Sequence, residues 1–160
     1  MSQTTTEQEF IARFHFGQAP TPASETQLDS IELELETKLP LAYRKFMMQH
    51  GPVHTQIILK EIADREINHP DVQDFFSPDD VVKDTRGYWS AGMPPDVIGF
   101  ASDCMGNMIG FRRHATRVED APVVFFDHDF VDIWELAPSF RAFLAWYVDN
   151  LKGRSGAEGK

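Results

Sequence analysis

The segment VIGFASDCMGNMIGF, residues 97–111, constrains the fold more than any other stretch of the chain. Two apolar runs flank a short series of Ser, Asp, Cys, Gly and Asn, residue types that accept turn conformations. Setting Ile98 opposite Phe111, Gly99 opposite Gly110 and Phe100 opposite Ile109 brings every large side chain to one face. Val97, Gly99, Ala101 and Gly110 then leave the other face shallow, apart from Met108 and Arg112. Because side chains alternate along a strand, a slip of one residue would reverse them all, so this register is strongly set. The segment therefore predicts an antiparallel hairpin with residues 102–107 as its loop. Its two glycines would let a helix or a partner's backbone approach closely.

The loop carries the only cysteine, Cys104, and raises two chemical alternatives. A catalytic thiol needs its pKa lowered by a helix N-terminus, a histidine or a cation. Asp103 beside it acts in the opposite sense, and no nucleophile signature surrounds it. A phosphate cradle needs a glycine pattern that opens a helix, and MGNMIG has neither the pattern nor a following helix. Elsewhere, FFDHDF places Asp127 and Asp129 on one strand face and His128 on the other, so the three do not converge within a strand. His50 and His54 are separated by Gly51-Pro52, which prevents a helical zinc pair. The carboxylates show no spacing that selects an acid/base pair. No catalytic residue, metal site or cofactor is expected. The competing reading is a small hydrolase or metal-dependent enzyme built on Cys104, His128 and Asp129. It requires those groups within about 3 Å of one another or of a common ion.

The hairpin sits among helices and further strands. EFIARFHF spaces Phe10, Ile11 and Phe14 for a short helix, and GQAPTPAS, residues 17–24, reads as a Pro-punctuated connection. SIELELE alternates like a strand, but Leu28, Ile31, Leu35 and Leu39 keep helical spacing behind a capping box at residues 24–27. A helix over residues 25–37 follows, with Glu25, Asp29, Glu32 and Glu36 as an acidic stripe. Pro40 suits the first turn of the next helix, with Leu41, Phe46 and Met47 packing and Gly51-Pro52 as its stop. TQIILKEIA is apolar and β-branched, hence a predicted strand. Ser77 caps a short helix running through VVKD, and RGYWSAG resembles a turn that exposes Trp89. PVVFFD and IWELA complete the strands, and Ser139 caps a last helix with Phe140, Phe143, Leu144, Tyr147 and Leu151 on one stripe. The pattern predicts one α+β domain, a central antiparallel or mixed sheet packed with helices. Residues 1–24 form a helix and linker, 25–151 the domain, and 152–160 a flexible tail.

Charge narrows the partners. The chain carries a formal net charge of −10, and its basic tail makes the remaining body more acidic still. Such a body repels phosphate backbones, which argues against nucleic acid, and attracts a basic protein. Neither a secretory leader nor a membrane-spanning run is visible, so a soluble cytoplasmic protein with no membrane partner is expected.

The order of features, an LP-x-x-Y-R-x-F helix start through Phe46, the D-x-x-G-N hairpin, FFDHD and LAPSF, resembles the SUKH superfamily over roughly residues 25–147. His50-Gly51 departs from the Asn-Gly common at that position in the superfamily. The resemblance implies an α+β fold without enzymatic activity. It further implies an immunity protein that neutralises a cognate toxin, often a nuclease, by direct binding in the cytoplasm, with a regulatory scaffold as the other role. The candidate partner contacts are Glu32, Glu36, Trp89, Asp103, Asp127 and Asp129.

Overall fold

In chain order the elements are α1 (Thr6–Phe14), α2 (Glu25–Leu35), α3 (Leu41–Gln49), α4 (Ile57–Asp64), β1 (Asp74–Phe75), α5 (Pro78–Ser90), β2 (Val97–Ser102), β3 (Met108–Arg112), β4 (Val123–Asp127), β5 (Asp132–Ala137) and α6 (Phe140–Asn150). They come from a computed structural model that describes residues 4–154. Four helices begin on side-chain caps. Thr5 and Ser24 form capping boxes with Gln8 and Gln27, while Ser77 and Ser139 accept the N–H groups of Asp80 and Ala142. Pro40 stands one residue before α3 rather than within its first turn.

The strands form one antiparallel meander in the order β1-β2-β3-β4-β5. Ile98, Phe100, Ile109, Phe111 and Phe125 belong to the main core cluster, which they share with Tyr43 of α3 and Phe140 and Phe143 of α6. The rings interlock: Phe100 lies 4.7 Å from Phe111, 5.5 Å from Phe140 and 5.4 Å from Tyr43, centroid to centroid. Each such fully buried ring is worth about 1.5–3 kcal/mol by removal from water alone. A smaller cluster of Met93, Val97, Met108, Val124 and Phe126 is joined by Tyr88 and Trp89 from α5. The fold is thus a single α+β domain.

The hairpin keeps the expected pairs Ile98–Phe111 and Gly99–Gly110, then departs from the predicted register. A bulge at Phe100 leaves Ala101, not Phe100, opposite Ile109, and Ser102 pairs with Met108, so the loop shortens to residues 103–107. The bulge brings Phe100 and Ala101 together into the main core. The space at Gly99 is taken by Met108: a Cβ there would lie 2.0 Å from its sulfur. Helix α5 meets β2 through Thr85, whose hydroxyl accepts the Gly99 N–H at 3.0 Å where β1 has ended.

Other expectations are corrected. TQIILKEIA is mostly helix α4, because Ile58 and Ile62 share a buried face four residues apart and Lys60–Asp64 and Glu61–Arg65 pair at the same spacing. Helix α5 runs beyond VVKD to Ser90 and so contains Trp89. Leu41 is exposed rather than packed. The N-terminal helix joins the core: Phe10 and Phe14 are fully buried, and Arg13 donates to the Val148 and Leu151 carbonyls at the end of α6. In the predicted tail, Lys152 and Gly153 donate their N–H groups to Glu61, and Arg154 donates its N–H to the Arg13 carbonyl. The rest of it, residues 155–160, lies outside the described residues.

Candidate functional site

The β2–β3 loop is organised from within. Asp103 is buried, and its Oδ1 accepts the N–H groups of Met105 at 2.9 Å and Asn107 at 2.8 Å, while Oδ2 accepts from the Asn107 side chain at 2.9 Å. Gly106 turns the chain at φ +83°. Asp103 therefore shapes the loop, with its carboxylate buried rather than exposed. The loop is then tied to its neighbours. Tyr88 donates its hydroxyl to the Gly106 carbonyl at 2.5 Å. Asn107 Oδ1 accepts the His128 N–H at 3.1 Å and lies 2.7 Å from His128 Nδ1, which carries the proton because Oδ1 only accepts.

The β4–β5 turn is built the same way. Asp127 accepts the N–H groups of Asp129 at 2.9 Å and Phe130 at 3.3 Å, an Asx turn that leads into Val131 at φ +51°. The two turns also leave three apolar side chains exposed. Phe130 is 82% exposed, Met105 67% and Val131 59%. Asp129 and Asp132 flank Phe130 in sequence and are exposed. The segments are close neighbours, for a Cβ at Gly106 would stand 3.5 Å from the His128 ring, and one at Gly92 would stand 3.7 Å from Val131. This hairpin end combines exposed apolar side chains with carboxylates. Of the expected contacts it gathers Asp103, Asp127 and Asp129, of which only Asp129 is exposed.

The other three lie elsewhere. Glu32 is 6% exposed and inward-facing, correcting the acidic stripe. Its carboxylate accepts from Arg117 and from the Leu39 N–H at 2.8 Å, and Arg44 Nη1 stands 3.2 Å away. Burial works against its charge, yet Arg117, the Leu39 N–H and Arg44 together hold the carboxyl below its ordinary value. Glu36 is exposed at the left-handed end of α2, where its own carbonyl accepts from Arg113. Trp89 is half-buried, donates Nε1–H to the Val97 carbonyl at 2.8 Å and carries the Arg113 guanidinium 5.4 Å above its ring. It packs inward and is not the exposed anchor that RGYWSAG suggested. Sequence reading did not single out the exposed apolar side chains Phe130, Val131 and Met105. For Phe130 and Val131 the signal was present in DHDFVD, a Phe-Val pair set among acids where a turn was due.

The enzyme alternative needed Cys104, His128 and Asp129 to act as one set. Cys104 instead donates its N–H to Asp71 Oδ1 at 3.4 Å, whereas His128 bonds to Asn107 and stands 3.3 Å from Asp129. Burial, with Asp71 and Asp103 nearby, pushes the Cys104 thiol up to about 11, away from the thiolate a nucleophile requires. Among the described residues, no group of three or more His, Cys, Asp or Glu side chains could hold a metal ion. No helix among them is long and apolar enough to cross a membrane.

Comparison with known proteins matches residues 22–146 to the SMI1 / KNR4 family (SUKH-1). Curated proteins give no match. The matched span runs from just before α2 into α6 and takes in both the hairpin and the Asx turn, leaving α1 outside. On that match across most of its length, and on a fold that agrees with it, the chain belongs to the SMI1 / KNR4 family (SUKH-1), which is known for immunity proteins and related regulators.

Proposed function

We propose that this protein is an immunity protein, a non-enzymatic binding module that neutralises a basic protein toxin in the cytoplasm by occupying it. The observation that carries the reading is Phe130, 82% exposed at the tip of an Asx turn, with exposed Asp129 before it and exposed Asp132 two residues after it. An aromatic held out of the core at such a place costs the monomer apolar exposure and gains when a partner covers it. The surrounding carboxylates and the net charge of −10 would draw in a basic partner and speed the encounter. The fixed backbone of both turns limits the ordering cost of binding.

Co-expression with the product of an adjacent toxin gene tests this. Cells carrying the immunity chain should survive, and the two proteins should co-purify as a complex that weakens as salt rises. Replacing Phe130 with Ala should weaken the complex by about 2 kcal/mol or more, the size of an interface hot spot, without changing the melting temperature. Survival that does not depend on this chain, or a complex indifferent to F130A, would refute the reading.

A further inference from the structure

Beside the hairpin end, a cleft of about 510 Å³ opens between the sheet and the segment that leads from α4 toward β1. Phe125, Trp134 and Leu136 form its sheet side, and Ile62 and Ile67 the opposing one. Its polar side chains are Asn68, His69, Asp71 and Asp103, two of them carboxylates. Asp71 is only 5% exposed, and Oδ2 has no hydrogen-bond partner among the described residues. Its other oxygen takes the Cys104 N–H. Asp103, committed to the loop, adds a second carboxylate. His69 Nε2 is likewise buried and unpartnered among the described residues, its ring stacked on Trp146 at 3.6 Å. Burial pushes the His69 imidazole down to about 4, so the ring is neutral near pH 7 and does not repel a cation. Among the described residues, no lysine or arginine lines the cleft.

A buried carboxylate with a free oxygen, a second carboxylate close by and no cation is an unfinished ion pair. Burial first, then the charge of Asp103, push the Asp71 carboxyl above its ordinary value, against the opposing contacts of the Cys104 thiol and N–H. The group that completes the site must bring donors and positive charge and must tolerate apolar walls. Trp134 is 43% exposed, lies against Phe125 at 4.8 Å and offers a ring face at the same opening. A guanidinium meets every condition: it has five donors and no acceptor, it is planar, it stacks on aromatic rings and it is weakly hydrated. An ammonium is compact and strongly hydrated, and a phosphate would face two carboxylates.

We propose that this cleft receives an arginine side chain of the basic protein partner, the guanidinium donating to Asp71 Oδ2 and lying against Trp134. The inference rests on the binding function proposed above and names the side chain that the partner presents. Met105 and Asp103 belong both to the cleft and to the β2–β3 loop, so the arginine would enter beside the apolar contacts of the hairpin end.

Two measurements separate this inference from the function it deepens. The first titrates the full chain with N-acetyl-arginine amide, and in parallel with its neutral citrulline isostere, observed by ¹H–¹⁵N NMR. The arginine compound alone should shift the Cys104 and Met105 amides and the Trp134 indole, and D71N should weaken it at least about tenfold. W134A, at an exposed ring, should weaken it too and serves if D71N fails to fold. Equal shifts from the citrulline compound, or arginine shifts located elsewhere or absent, would overturn the proposal. The second measures the complex with the adjacent toxin. D71N or W134A should raise its Kd at least about tenfold. If the wild-type complex forms and neither variant weakens it, the cleft assignment fails while the immunity reading stands. If the wild-type chain binds no adjacent toxin, the immunity reading fails, and the arginine titration still decides the cleft.

Discussion

Glu32 offers the sharpest test of how the helical layer is held together. Its carboxylate is 6% exposed and receives Arg117, the Leu39 N–H at 2.8 Å and Arg44 Nη1 at 3.2 Å, with Lys38 at 3.9 Å. In E32A the Leu39 N–H loses its acceptor and two guanidinium groups lose their shared anion. Breaking a buried pair by removing one partner costs about 3–5 kcal/mol. The lower end applies, because Arg44 keeps Asp29 at 2.9 Å and the Arg117 side chain, 32% exposed, can turn to water. A loss of about 3 kcal/mol in a chain of this size lowers the melting temperature by about 6–12 °C. Urea denaturation should show the midpoint falling with an unchanged slope. Acid supplies a second signature. The folded carboxyl is held below its ordinary value of 4.5, so its contribution is fully present above about pH 4.5 and is lost as pH falls through the lower folded value. The stability gap between wild type and E32A should therefore close on acidification. A loss under about 1 kcal/mol, the size of a surface pair, would refute the reasoning. So would a gap that does not change with acid.

Three further outcomes follow from the turns and the thiol. D103A removes the acceptor of two backbone N–H groups and the Asn107 amide, and should cost about 1–3 kcal/mol in thermal unfolding, with D103N recovering part of it. At Gly51, φ is +84° and a Cβ would lie 2.3 Å from the Thr21 carbonyl oxygen, so G51A should destabilise by more than about 1 kcal/mol. Cys104, its thiol pushed up to about 11, should alkylate with iodoacetamide more slowly than free cysteine at pH 8 and accelerate toward pH 10. Alkylation as fast as free cysteine at pH 8 would count against the burial and the Asp71 contact.

Local signals were legible where they were redundant. The capping serines, the helical stripes of α2 and α6 and the first hairpin pairs each had two independent supports, such as a cap plus a period, or a buried face plus a turn. TQIILKEIA failed because a short apolar run has no decisive period, and its i,i+4 ion pairs became visible as helix support only once Ile58 and Ile62 were buried together. The bulge at Phe100 was beyond reach, since one extra residue in a strand changes no local preference and is selected by how the ring fits against Tyr43 and Phe140.

The functional surface divides along the same line. Composition determined the acidity, hydrophobic periodicity and turn signals determined the α+β pattern, and motif order placed the chain near its family. Which carboxylates face outward was decided by the tertiary structure alone. Glu32 and Asp129 are equally acidic in sequence, yet Arg117 and Arg44, far along the chain from one another, converge on Glu32 and draw it inside, while among the described residues the Asp129 carboxylate meets only His128. Burial, and with it the supply of hydrogen-bond partners, depends on contacts between distant segments. The same physics leaves Asp71 with a free oxygen in an apolar cleft and Phe130 in water.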